Sequence, residues 1–143
     1  MTLIDTHAHL YYDDMYNNLD NVLEDALNNG VEKIVCIGTD LNTSKQSIDI
    51  ADKHDNVYAS VGIHPHDSKD VNKDYIKNLE TLALSSKKVV AIGEIGIDHY
   101  RNISPQDIQK KVMIEQMELA NSLSLPIIFH NRDADRDILE VLK

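Results

Sequence analysis

His7 and His9 lie two residues apart at the exit of a short apolar run, in the frame Leu3-Ile4-Asp5-Thr6-His7-Ala8-His9. A strand turns every second side chain to one face, so both imidazoles point the same way, with Asp5 behind them. Neutral imidazole nitrogen is a good ligand for zinc and its neighbours, and two side by side form a metal pincer. Three further stretches place polar groups after apolar runs in the same manner: Gly62-Ile63-His64-Pro65-His66, Gly93-Glu94-Ile95-Gly96-Ile97-Asp98 and Phe129-His130-Asn131-Arg132-Asp133.

A carboxylate can bridge two divalent ions, which one imidazole cannot do. Glu94, in its Gly-Glu-x-Gly frame, is the natural bridge, with glycines letting backbone and ions approach. His130 completes or shares a coordination sphere, so His7, His9, Glu94 and His130 form the expected ligand set. Water held between two such ions ionises near neutral pH and attacks, while the ions offset charge on a phosphoryl oxygen. Glu94 and Asp98 are the catalytic candidates, Asp98 either accepting a hydrogen bond from a ligand imidazole or assisting proton transfer. Asp5 is the expected acceptor that orients a ligand imidazole. His64 is read as a supporting or substrate contact beside the shaping Pro65, and His66 as a surface residue. Arg101 and Arg132 are the local cations a phosphate would want, ion pairing with nearby acids being the alternative.

Those groups need elements to position them. Short β-rich runs are expected at Leu3–Thr6, Lys33–Ile37, Val57–Gly62, Val89–Gly93 and Pro126–Phe129. Helical spacing fills the intervals. One stripe runs from Met15 to Leu27 and ends at Gly30, a second spans Thr43–His54, and a third carries Tyr75, Leu79, Leu82 and Ala83. A fourth opens with Ser104 as N-cap and Pro105 at the first helical position, and Asp133 caps a fifth. Asp67–Asp74 reads as a polar loop. Strand–helix alternation implies a parallel sheet covered by helices. Polar residues at successive strand ends favour a TIM-barrel-like α/β repeat over an open nucleotide-binding sheet, since no Gly-rich phosphate loop is present. A closed eight-unit barrel takes about 250 residues. At 143 residues the chain supplies about five units, expected as a single domain, residues 1–143. Five units leave two sheet edges and an inner face to be covered, by self-association or by a missing C-terminal half.

Composition narrows the partners. A formal charge of −10 repels phosphate backbones and argues against a protein that coats DNA nonspecifically. It leaves room for a metal-centred phosphoesterase, where attraction is local. No run approaches the roughly 18 apolar residues of a membrane helix, and no leader opens the chain, so a soluble, membrane-free, cytoplasmic protein is expected. The lone Cys36, in an apolar run, excludes a disulfide framework.

Together, Asp5-Thr6-His7-Ala8-His9-Leu10, Gly62-Ile63-His64-Pro65-His66, Gly93-Glu94-Ile95-Gly96-Ile97-Asp98 and Pro126 through Ala134 resemble the TatD family of metal-dependent hydrolases, in order and across essentially the whole chain. The resemblance implies a divalent-metal phosphodiesterase, a deoxyribonuclease of 3′→5′ exonuclease type, with two ions of magnesium, manganese or zinc. It implies that His7 and His9 bind one metal, that Glu94 bridges both and that His130 binds the second. The family adds a histidine on strand six and an aspartate on the final strand, which lie outside this sequence. Asn131 stands where many members have serine. DNA or a small phosphoester is the expected substrate. Without the C-terminal part such activity would be impaired; an inactive or assembling fragment with a partial metal site is the alternative, and D-aminoacyl-tRNA ester hydrolysis a weaker one.

Overall fold

The computed structural model describes residues 2–143. Five parallel strands run β1 (Leu3–Ala8), β2 (Val31–Ile37), β3 (Val57–Val61), β4 (Val89–Asp98) and β5 (Ile127–Arg132), hydrogen-bonded in sequence order. Helices fill the crossovers, α1 (Asp13–Tyr16), α2 (Leu19–Asn28), α3 (Leu41–Ala51), α4 (Tyr75–Ser85) and α5 (Gln106–Leu123), and α6 (Asp135–Val141) follows the last strand. Parallel strands joined by helices must bury both faces, and β2 to β4 do so with Ile34, Cys36, Val57, Ala59, Val61, Ile92, Ile95 and Ile97. Ile48, Ala51, Leu79, Ala83, Val112, Met113 and Leu119 pack on them from the helices. The two edge strands differ. Leu3 and Ile4 of β1 are 41% and 56% exposed, and Phe129 of β5 also meets solvent. None of the helices is long and apolar enough to cross a membrane among the described residues.

Several boundaries depart from the sequence expectation, each for a local reason. The Met15–Leu27 stripe is two helices, broken at Asn17 and Asn18. α3 begins earlier than Thr43 because Asp40 and Thr43 form a capping box, with Asp40 Oδ1 accepting the Thr43 N–H at 2.6 Å. α5 starts at Gln106 with Pro105 as its N-cap, so Ser104 caps nothing. Its hydroxyl instead donates to the His66 carbonyl at 2.8 Å and accepts the Lys69 N–H at 3.1 Å. Asp133 adopts a positive φ of 55° ahead of α6, whose N-cap is Ala134. The expected Asp67–Asp74 loop opens inside a 3₁₀ helix, Pro65–Asp70, entered from His64.

The largest departure is that β4 and β5 continue through their polar residues, so Glu94, Asp98 and His130 are strand residues. Glycine allows this by close approach of the two strands. A Cβ on Gly96, whose φ is +152°, would lie 1.9 Å from the His130 carbonyl oxygen. One on Gly93 would meet Ile128 of β5 at 2.8 Å. β4 and β5 can therefore pair Gly96 with His130 and carry both functional residues forward together.

Two buried glutamines on α5 lock the loops to this scaffold. Gln116 Oε1 accepts the Ile63 N–H at 2.7 Å while its Nε2 donates to the Ile63 carbonyl at 3.1 Å, fixing the segment before His64. One heptad earlier, Gln109 does the same for Asp98, accepting its N–H at 2.8 Å and donating to the Ser104 carbonyl at 2.7 Å. Replacing Gln116 by Leu strands a buried donor and acceptor, and the expected loss is about 1–3 kcal/mol. Urea unfolding of Gln116→Leu against wild type measures it; an unchanged midpoint would show that the pairing contributes nothing.

Candidate metal centre

Glu94 is the hub. Its side chain, on a residue only 7% exposed, faces His7 on one side, with His7 Nε2 to Oε2 at 3.3 Å. On the other side His130 Nδ1 lies 3.1 Å from Oε1. His9 joins the first side and His64 the second. In each of the two groups, His7–His9–Glu94 and His64–Glu94–His130, the ligand atoms lie within 4.8 Å of one another. Residues of β1, β4 and β5 and of the segments that follow β1 and β3, far apart in sequence, meet around one carboxylate.

The hydrogen bonds assign tautomers. His9 Nδ1 faces the Ile37 carbonyl at 3.2 Å and the Tyr11 hydroxyl at 2.9 Å. A carbonyl can only accept, so Nδ1 carries the proton and Nε2 keeps its lone pair. The orienting role expected of Asp5 thus falls to Ile37 and Tyr11 at His9. Asp5 itself is exposed, and its Oδ1 accepts the backbone N–H of His7 at 2.9 Å. His64 has the opposite tautomer. Its Nδ1 accepts the His66 N–H at 3.1 Å, which leaves the proton on Nε2, 3.1 Å from His130 Nδ1. His64 therefore presents a donor to the site.

Asp98 is fully buried and shares one oxygen between two imidazoles, His66 Nε2 at 2.7 Å and His130 Nε2 at 3.2 Å. Its other oxygen accepts the Arg101 N–H at 2.7 Å. With Nε2 of His130 turned to Asp98, Nδ1 is the atom offered to Glu94, the arrangement that fixes ring orientation in metal-binding histidines. His66, expected at the surface, is instead half-buried against Asp98. Arg101 and Arg132 are exposed. Neither forms an ion pair among the described residues, and the Arg132 guanidinium lies 4.0 Å from the Tyr100 ring centroid.

Proton affinities follow from these contacts. Burial and the neighbouring His130 charge push His64 down to about 4, so it stays neutral. Burial and His7 lower His9 as well. Burial alone would raise Glu94, yet the His130 hydrogen bond, aided by the flanking imidazoles, outweighs it and keeps the carboxylate ionised. His130 is raised by its hydrogen bond to Glu94, against burial. Asp98 is likewise pushed up by burial but held at about 2 by the Arg101 N–H and the two imidazoles. An ionised carboxylate among imidazoles with free or exchangeable lone pairs is a donor set for a borderline divalent cation. The chemistry of the residues fits such an ion.

The site opens into a cavity of about 510 Å³ lined by His9, Tyr12, His64, His66, Lys69, Glu94 and Ile103, among others. A cleft of similar volume, about 520 Å³, lies between Tyr16–Asn21 and Ile50–His54 and contains no carboxylate–imidazole group of this kind.

Comparison with known proteins places the fold. Residues 4–143 match the family described as TatD related DNase. The chain belongs to this family. It is 41% identical over 141 residues to the uncharacterised metal-dependent hydrolase YabD of Bacillus subtilis, covering 99% of this chain and 55% of that protein. It is 32% identical over 124 residues to the 3′-5′ ssDNA/RNA exonuclease TatD of Escherichia coli, covering 87% and 47%. Among solved structures, a hydrolase TatD family protein from Entamoeba histolytica superposes with a TM-score of 0.90 at 29% identity, over 99% of this chain and 53% of that one. The E. coli TatD homolog YJJV gives 0.89 at 28%, over 96% and 54%. The chain thus spans about half the length of these relatives, with the sheet curled as half of a TatD-type barrel.

Two pH dependences follow. Because Asp98 is depressed from an ordinary 3.8 to about 2, its stabilising contribution is complete above pH 3.8 and disappears as pH falls through 2. The stability difference between wild type and Asp98→Asn, read from urea midpoints, should therefore shrink from pH 5 to about pH 2; a constant difference would rule this out. A cation at Glu94–His130 must displace the His130 proton, so zinc affinity measured by competition should rise with pH through the His130 titration.

Proposed function

We propose that this TatD-type half-barrel carries the metal-binding part of a divalent-metal phosphodiester hydrolase, a deoxyribonuclease of 3′→5′ exonuclease type. The observation that carries the reading is the sharing of Glu94 by two donor groups. In this reading His7, His9 and Glu94 would hold one ion and Glu94 and His130 the other, with magnesium, manganese or zinc as the candidates. Such a pair supplies Lewis acidity at the phosphoryl oxygens and lowers the pKa of the attacking water. The protein's own groups do the rest. Asp98 keeps the His130 proton on Nε2, so Nδ1 stays turned to Glu94. His64, neutral and carrying its proton on Nε2, donates to an oxygen of the scissile phosphate. Arg101 and Arg132, exposed on the loop after β4 and at the end of β5, contact flanking phosphates. Asp5 fixes the strand exit by holding the His7 N–H. The nuclease relatives support nucleic acid as substrate, and the −10 charge restricts attraction to the site itself. The free thiol of buried Cys36 fits a reducing compartment such as the cytoplasm.

A second reading, an assembling half-site, rests on the exposure of β1 and β5. An eight-stranded ring has no edges, whereas this sheet has two. Both readings meet in one experiment: labelled single-stranded DNA incubated with manganese, with the molar mass of each active fraction measured by light scattering. Metal-dependent cleavage lost by at least about 100-fold in His7→Ala and Glu94→Ala is expected of a metal-held transition state. Cleavage that survives both substitutions would overturn the hydrolase reading, and activity confined to a multimer would establish the assembling one.

A further inference from the structure

The mouth of the metal cavity carries an aromatic side chain that neither the coordination chemistry nor the core uses. Tyr12 is 57% exposed, yet its ring is held on two sides. It stacks on His9 with centroids 5.3 Å apart and planes 29° from parallel. It meets Tyr11 edge-on at 5.0 Å and 75°. Tyr11 is itself buried and bonded through its hydroxyl to His9. The Tyr12 backbone is equally fixed, its carbonyl accepting the N–H groups of Met15 and Tyr16 at 2.9 and 2.8 Å to start α1. The Tyr12 hydroxyl has no hydrogen-bond partner among the described residues. A rigid aromatic face, open to solvent, borders the cavity that contains Glu94.

We propose that Tyr12, backed by His9 and Tyr11, is a stacking platform for one nucleobase of the substrate, with the exposed Ile103 at the same cavity giving the base a second apolar contact. The proposal rests on the phosphodiesterase reading and deepens it by naming what the site recognises beside the phosphate. An aromatic face accepts any base, because every base has a π-face, so recognition here is general for single-stranded ends. Electrostatics points the same way. Lys69 is the one lysine or arginine lining the cavity, against Asp67, Asp70 and Glu94. Arg101 and Arg132 stand outside that lining, so within the cavity a phosphate finds little cationic support, and a base stacked at the strand end adds affinity that charge there does not supply.

The test compares calorimetric binding of trithymidylate and of the same trinucleotide lacking all bases, both in manganese, to wild type, Tyr12→Ala and Tyr12→Phe. Tyr12→Ala should weaken trithymidylate roughly 5- to 150-fold, the range of one base–aromatic stack. Tyr12→Phe should restore wild-type affinity within about twofold, and the abasic ligand should bind all three proteins alike. Equal losses for both ligands would mean that Tyr12 only steadies His9 and would overturn the proposal, as would no loss at all or no trithymidylate binding by wild type. Hydrolysis of bis(4-nitrophenyl) phosphate, which has no nucleobase, separates the two readings. Manganese-dependent turnover with Tyr12-independent binding overturns the stacking platform and leaves the hydrolase. Tyr12-dependent binding without turnover does the reverse.

Discussion

A buried carboxylate surrounded by imidazoles is the constraint on which the remaining geometry depends. Glu94 loses most of its hydration on a residue 7% exposed, and an ionised group in that position must be compensated. His7 and His130 compensate it from opposite sides, at 3.3 and 3.1 Å. That requirement reaches outward in steps. His130 must present Nδ1, so its Nε2 needs Asp98. Asp98 in turn needs the Arg101 N–H, His66 and the Gln109 side chain that pins its backbone. His64 must stand beside His130, so Gln116 holds the segment before it. The site is therefore one connected polar network resting on α5, with the apolar sheet behind it. Networks of this kind are stable only when every member is satisfied, and among these groups each buried side-chain polar atom has a partner.

The same network explains what could be read from the sequence and what could not. The strands were legible because β2, β3 and the first half of β4 are short apolar runs with little ambiguity. The strand-end spacing of His7, His9, Glu94 and His130 was legible too, since alternation along a strand fixes which residues share a face. The ends of β4 and β5 were not. Polar residues usually signal a loop, but here Glu94, Asp98 and His130 extend strands because their partners come from neighbouring strands. Nothing in the local sequence announces that. The orienter of His9 was hidden for a related reason: it is a carbonyl 28 residues away, Ile37, and any residue can supply a carbonyl.

Gln109 and Gln116 left a fainter signal. Two polar residues seven apart on the stripe shared by Val112, Met113 and Ala120 interrupt an otherwise apolar face, the mark of a helix that must satisfy backbone from loops it supports. His66 was hidden by Pro65, which suggested a turn to solvent and instead begins a 3₁₀ helix that swings His66 against Asp98. The pairing of His99 with Asp137 at 2.7 Å, which ties α6 to the end of β4, joins residues 38 apart and has no sequence signature. Net charge was informative in a coarser way: at −10 the chain as a whole repels polyanions, so any attraction to one must be local.

Anomalous diffraction from crystals grown with manganese addresses the role of Glu94 most directly. If its carboxylate is the shared ligand, the scattering peaks lie in contact with Glu94, one beside His7 and His9 and the other beside His130. Manganese held elsewhere, with Glu94 still paired only to the imidazoles, would contradict the account.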